Sequence, residues 1–326
     1  METQTTLKAV NVWALTDGRA GNAAQALGLA EAIGRARPAH IAIHAAEPGR
    51  LAAVLPAVVS QALGVLPGWP EAGYSGVPAG LPDLVIGAGR RIAPLVAALG
   101  RRGAKTVQVL DPQMPHSAFD AVVVPEHDGV KGPRVLTSLG APGRITPARV
   151  AEAATAWADR VAPLPKPRLA VLIGGPGRMA AWEADTGARL VTALATLAET
   201  HSLLVTASRR TDPAVMTALE TALDPAHHLL HAGEGENPYP AILGLADAVL
   251  VTEDSVNMAS EAGSTGLPVH IFRTGGASDK AQRFHTALAA RGIARDFTGQ
   301  IERWSYRPLA EADRLAAEIL ARLSLA

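Results

Sequence analysis

Cysteine is absent from all 326 residues, which excludes disulfides, thiolate nucleophiles and cysteine-based zinc sites, and gives no sign of an oxidising compartment. Net charge is absent too. Thirty Lys and Arg are balanced by 30 Asp and Glu, so no global field favours nucleic acid or an anionic membrane. No uninterrupted apolar run is long enough for a transmembrane helix, and Met1-Glu-Thr-Gln-Thr-Thr6 lacks the basic start and apolar core of a signal peptide. The expectation is a soluble, cytoplasmic protein with at most weak peripheral contact at the inner face of a membrane. Metal signatures are missing as well: the ten histidines form no ligand spacing, with His227, His228 and His231 merely adjacent, and no Asp-x-Asp follows a strand. Neither a metal nor another cofactor is expected, and the glycine pairs do not match the Gly-x-Gly-x-x-Gly fingerprint of dinucleotide sites.

What is present is alternation. Short aliphatic runs at Val10–Leu15, His40–His44, Asp83–Ile86, Thr106–Leu110 and Ala121–Val124 are separated by helical stretches. The second half repeats the scheme at Leu169–Ile173, Ser202–Thr206, His228–His231, Ala248–Val251 and Val269–Phe272. This is the pattern of parallel sheets with crossover helices, and the length suits two cores. Pro163-Leu-Pro165-Lys-Pro167 follows a helical stretch at Pro147–Val161 and cannot continue it, which puts the expected boundary between 1–162 and 163–326. The expected fold is therefore α/β, with two Rossmann-like domains facing each other across a cleft, where ligands bind beyond the carboxyl ends of the strands. From Leu51 through Pro70 no charge occurs and apolar residues recur at helical spacing. A helix buried on most sides is the favoured reading, with an exposed apolar patch that gives weak peripheral membrane contact as the alternative.

Asp247-Ala-Val-Leu-Val251-Thr-Glu-Asp254-Ser255-Val-Asn-Met258-Ala-Ser-Glu261-Ala-Gly263 reads as strand, polar turn and helix. Ser255 is the N-cap, the helix start offers free N–H groups to a phosphate, and Glu261 can accept from a ribose diol. Thr16-Asp17-Gly18-Arg19-Ala-Gly21-Asn22 makes a similar strand-to-helix turn. Asp17 reads equally well as a general base or as the cap of an Asp-Gly turn. Ile173-Gly174-Gly175-Pro176-Gly177-Arg178 leaves another strand, with Arg178 as a charge partner for phosphate. Of Arg209 and Arg210, within Ser208-Arg-Arg-Thr211, at most one is expected to meet phosphate, since adjacent side chains diverge. Asn237 can read a base edge or sugar hydroxyl and Tyr239 can stack on a ring; Asn-Pro is equally good turn chemistry.

The strand-turn-helix with Glu-Ala, followed by Gly266-Leu-Pro268-Val269, resembles the donor-nucleotide motif of GT-B glycosyltransferases. More narrowly, Leu15-Thr-Asp17-Gly18-Arg19-Ala-Gly21-Asn22 with Gln25-Ala-Leu-Gly, then Ser208-Arg209-Arg210-Thr211, Glu236-Asn237-Pro238-Tyr239 and Thr252-Glu253-Asp254-Ser255, resembles the mitochondrial-fission ELM family over nearly the whole chain. The resemblance implies a GT-B-like fold whose last helix, within 308–326, crosses back to the first domain; apolar Leu309, Leu315, Ile319 and Leu323 fit such a helix.

It also implies a metal-independent glycosyltransferase using a nucleoside-diphosphate sugar. Gly175, Arg178, Ser208, Arg209, Arg210, Asn237, Tyr239, Asp254, Ser255, Met258 and Glu261 would bind the donor. Gly18, Arg19, Gly21, Asn22 and Gln25 would face an acceptor, lipid-linked in some relatives, with Asp17 as the catalytic base. Two other functions fit the same resemblance: a nucleotide-sugar 2-epimerase, and a non-catalytic adaptor of the kind plant members provide.

Overall fold

A computed structural model describes residues 8–49, 73–233 and 235–325, so the uncharged stretch Leu51–Pro70 lies outside the described residues. The chain forms two compact units, Met1–Arg144 together with Ala310–Ala326, and Ile145–Leu309.

The first unit runs β1 (Val10–Thr16), α1 (Ala20–Ala36), β2 (Ala39–Ala45), β3 (Glu47–Pro48), β4 (Tyr74–Ser75), β5 (Leu84–Ala88), α2 (Ala93–Arg101), β6 (Lys105–Val109), β7 (Ala121–Pro125) and β8 (Val135–Ser138). Its main sheet has the order β2-β1-β5-β6-β7-β8, with every pair parallel. Helices cover both faces, so the central strands are apolar on both sides, and every residue of β5 is buried. On one face Val12, Ala14 and Ile86 pack against Leu29 and Ile33 of α1. On the other, Leu15 and Val85 meet Leu95 and Leu99 of α2.

The second unit runs α3 (Pro147–Val161), β9 (Arg168–Ile173), β10 (Ala180–Trp182), α4 (Thr186–Ala198), β11 (Ser202–Ala207), α5 (Pro213–Ala222), β12 (Leu229–His231), α6 (Tyr239–Leu245), β13 (Ala248–Thr252), α7 (Val256–Gly263), β14 (Val269–Phe272), β15 (Gly275–Ala277), α8 (Asp279–Ala290) and β16 (Ala294–Asp296). Its parallel sheet has the order β12-β11-β9-β13-β14-β16. From β9 the chain winds outward through β11 and β12, then returns to β13 on the other flank. The reversal therefore falls between β9 and β13, where open α/β sheets hold ligands. In the first unit the corresponding point lies between β1 and β5.

The division differs from the boundary expected at the prolines. Arg168 donates from Nη2 to the carbonyls of Val161 and Leu164 at 3.0 and 2.8 Å, clamping the Pro-rich segment onto the start of β9. Helix α3 packs on α6, and Gly244 admits the Val150 carbonyl where a Cβ would approach to 2.8 Å. Pro147–Val161 therefore belongs to the second unit.

The last helix, α9 (Glu311–Arg322), packs against α1 of the first unit. Leu315 and Ile319 are fully buried there, worth about 1.5–3 kcal/mol each, and Arg35 pairs with Asp313 at 2.6 Å. Leu309 departs from the sequence-based helix. It precedes α9, and both its N–H bond to the Gly263 carbonyl at 3.0 Å and its side-chain packing lie within the second unit. No helix of the described residues is long and apolar enough to cross a membrane.

Candidate nucleotide site

At the reversal in the second unit, the turn after β13 is bonded to the glycine loop after β9. Thr252 Oγ1 accepts from the Gly174 N–H at 2.8 Å. The Asp254 carboxylate, its side chain fully buried, accepts from the Gly175 N–H at 2.8 Å, Trp182 Nε1 at 3.1 Å and Arg210 Nη2 at 3.3 Å. Glycine is required by contact: a Cβ on Gly174 would strike the Asp254 carboxylate, and one on Gly175 would strike the Arg210 carbonyl. A third segment joins them. Thr211 Oγ1 donates toward the Gly174 carbonyl at 2.5 Å, Ser208 Oγ accepts from the Arg210 N–H at 3.2 Å, and Arg210 Nη1 donates to the Pro176 carbonyl at 3.3 Å.

This network separates the two arginines. Arg210 is committed to Asp254 and Pro176, whereas Arg209 and Arg178 are exposed and make no hydrogen bond to any described residue. Ser208 and Asp254 hold the loops together, so they shape the site from behind. Ser255 caps α7, its Oγ accepting from the Met258 N–H at 3.4 Å, and the Val256 and Asn257 N–H groups are left without intrahelical acceptors.

Further along α7, the Tyr239 hydroxyl donates to Glu261 Oε2 at 2.7 Å. Burial holds the Glu261 carboxyl above the ordinary carboxylate range, opposed by the Tyr239 hydrogen bond and the positive charge of Arg149. Burial likewise pushes the Tyr239 phenol well up, reinforced by the carboxylate beside it. Asn237 Oδ1 accepts from the Tyr239 N–H at 3.0 Å, so its side chain serves the turn before α6.

The sequence reading passed over Trp182, and it gave Glu253 no role. Glu253 is buried, accepting from Arg273 Nη1 at 2.5 Å, the Thr274 N–H at 3.0 Å and Thr274 Oγ1 at 3.2 Å. His285 Nε2 lies 2.8 Å from its backbone carbonyl. An acidic pair directly after an apolar strand was the available signal. Among the described residues no group of three His, Asp or Glu side chains is arranged to hold a metal ion.

In the first unit, Asp17 Oδ1 accepts from Asn22 Nδ2 at 2.9 Å and the Arg19 N–H at 3.3 Å, with the Arg19 guanidinium 3.6 Å from Oδ2. Its side chain is only 3% exposed. This is the turn-capping geometry, stabilised by Gly18 at φ +78°. Asn22 also lies against Gly89 at the end of β5, across the reversal between β1 and β5. Gly21 falls in the first turn of α1; Gln25, one turn on, is buried and its side chain makes no hydrogen bond to a described residue.

Two parallel-sheet Rossmann-like halves, each with a loop and helix start at its reversal point, define an α/β protein of the GT-B kind. Residues 20–323 match the family model Mitochondrial fission ELM1, and the chain belongs to that family. It is 33% identical over 276 residues to "Mitochondrial fission protein ELM1" of Arabidopsis thaliana, covering 74% of this chain and 65% of that relative's length. An uncharacterized protein of Rickettsia prowazekii is 26% identical, over 94% of this chain and 97% of its own. Among solved structures, the UDP-GlcNAc 2-epimerase of Neisseria meningitidis bound to UDP-GlcNAc superposes with a TM-score of 0.51 at 12% identity, covering 96% of this chain and all of that one, a likeness of fold.

Proposed function

We propose that this protein is a glycosyltransferase that uses a nucleoside-diphosphate sugar, held by the second unit, and requires no resident metal. The observation that carries the reading is the reversal between β9 and β13, where the start of α7 presents unpaired N–H groups beside the glycine loop, with Glu261 on the same helix. Arg209, free of any internal partner among the described residues, meets the diphosphate charge as the sugar leaves. That a protein of the same fold is bound to UDP-GlcNAc supports a nucleotide sugar as the ligand. The acceptor is assigned to the loop around Asp17, Gly18, Arg19, Gly21 and Asn22, with Gln25 behind it. Asp17 removes the acceptor hydroxyl proton, the oxygen attacks the anomeric carbon, and the bond to the diphosphate breaks.

Calorimetric titration of the full chain with UDP, GDP, ADP, TDP and CMP tests the donor site, with Glu261→Ala as control. Selective binding of one nucleotide, lost in the variant, supports the reading. Binding of none would favour a non-catalytic adaptor, the alternative that the family resemblance implies. Proton NMR of the matching nucleotide sugar without acceptor separates transfer from 2-epimerisation, the activity of the structural neighbour.

A further inference from the structure

β2 is an outer strand of the first sheet and pairs with β1 alone among the described residues. The bonds at its two ends fix which backbone groups face out. The Val10 N–H donates to the Pro38 carbonyl at 3.0 Å and the Ala46 N–H to the Thr16 carbonyl at 2.8 Å, so the even-numbered residues between them turn their N–H and C=O groups to β1. Those of Ala39, Ile41, Ile43 and Ala45 point outward. Gly76 lies against the Ala45 carbonyl and closes that end, which leaves Ala39, Ile41 and Ile43 as the open edge. Sheet edges are ordinarily blunted by charge, proline or a bulge. This strand, Ala39-His-Ile-Ala42-Ile-His-Ala45, contains no Asp, Glu, Lys, Arg or Pro. The crevice beside it, walled by Asn11, Trp13, His40, Ala42, Leu81 and Pro82, holds no charged residue either. Among the described residues the exposed large hydrophobic side chains are Ile43, 48% exposed, and Leu81, 41%; one lies on the edge and the other in the crevice wall.

The strand also names its partner, because it reads the same in both directions about Ala42. A second copy laid antiparallel, with a two-fold axis at Ala42, sets Ile41 opposite the partner's Ile43 and Ile43 opposite the partner's Ile41. These are residues whose backbone groups face out, so each such pair can exchange both N–H and C=O bonds while the β-branched side chains meet across the strands. An axis at Ile41 would keep the parity but set Ile43 against alanine and leave it largely exposed. With no charge along the edge, nothing repels an identical strand and nothing attracts a partner of opposite sign. We propose that this protein forms a two-fold dimer in which the β2 strands pair antiparallel about Ala42 and join the two first-unit sheets into one. The open stretch is short, so the dimer is weak and depends on concentration. Association needs no nucleotide and stands or falls apart from the donor reading.

Sedimentation velocity of the full chain from about 1 to about 100 μM spans the affinities expected of a small interface. Wild type is expected to pass from monomer to dimer across that range. Ile43→Lys and Ile43→Glu each alter an exposed side chain, so both should fold with Tm unchanged. Each alone should stay monomeric, because the axis brings like charges from the two copies within reach of each other. Mixed in equal amounts the two variants should dimerise, since the same geometry then sets opposite charges across the axis. A wild type that stays monomeric at the highest concentration overturns the proposal, and so does a dimer that persists in both variants. Failure of the mixture to associate overturns the placement of the axis at Ala42.

Discussion

Arg210 donates to the buried carboxylate of Asp254 at 3.3 Å across 44 residues of sequence, and this contact decides which of two adjacent arginines is free. Asp254 accepts from three donors on three segments, so the arginine braces the glycine loop. Its neighbour Arg209 has no such duty.

The two arginines should therefore separate in solution. Arg209→Ala is expected to weaken binding of the selected nucleoside diphosphate by about tenfold or more, the worth of a charged hydrogen bond, with Tm unchanged. Arg210→Ala should cost about 1–2 kcal/mol of stability, discounted for the half-exposed guanidinium, and lower Tm by roughly 3–6 °C. Thermal unfolding beside calorimetry reads both. Equal loss of affinity without loss of stability in the two variants would contradict the assignment.

Asp17→Asn keeps an oxygen that can accept from Asn22 and from the Arg19 N–H, so the turn should survive with a stability change under about 1 kcal/mol. If Asp17 takes the acceptor proton, turnover should fall by about 10²–10⁴ while nucleotide affinity is retained. Full transfer activity in the variant would leave Asp17 as a cap alone.

His285 is held below its ordinary value of 6.5, burial being the largest cause, and His270 is shifted the same way for the same reason. Each is neutral when folded and takes up a proton more readily when unfolded. Their effect on stability is thus absent well above the ordinary value and grows as pH falls through it, at up to about 1.4 kcal/mol per pH unit per group. Urea unfolding from about pH 7.5 to about pH 5.5 should show this loss. His285→Gln, which can still donate to the Glu253 carbonyl, should show a shallower decline. Parallel curves for the two proteins would exclude His285 as a contributor.

The central strands were legible because burial on both faces demands continuous apolar sequence, as in Leu169–Ile173, where every residue is at most 1% exposed. Of the edge strands, β2 and β12 were legible and β8 and β16 were not. β8 reads Val-Leu-Thr-Ser and β16 Ala-Arg-Asp, and an edge position with one solvated face removes the pattern that betrays a strand. Helical periodicity at Pro147–Val161 announced a buried face, yet could not say which sheet it belonged to. The polar loops were read as strand exits and helix starts, where the structure has them, because caps and glycines are local signals. Their division of labour was hidden, since Asp254 meets Gly175 and Trp182 across 79 and 72 residues, and Tyr239 meets Glu261 across 22.

The chain enters the second unit after Arg144 and leaves it before Ala310, and α9 then completes the core around α1. In topological terms the second unit is an insertion in the first. One peptide-bond cleavage can never release the first unit whole, because its two pieces are joined through the other unit. Excision of residues 145–309, by contrast, removes a continuous stretch with its own sheet. This connectivity leaves one excisable unit, and makes the core around α1 depend on a helix that the chain reaches only after the whole second unit.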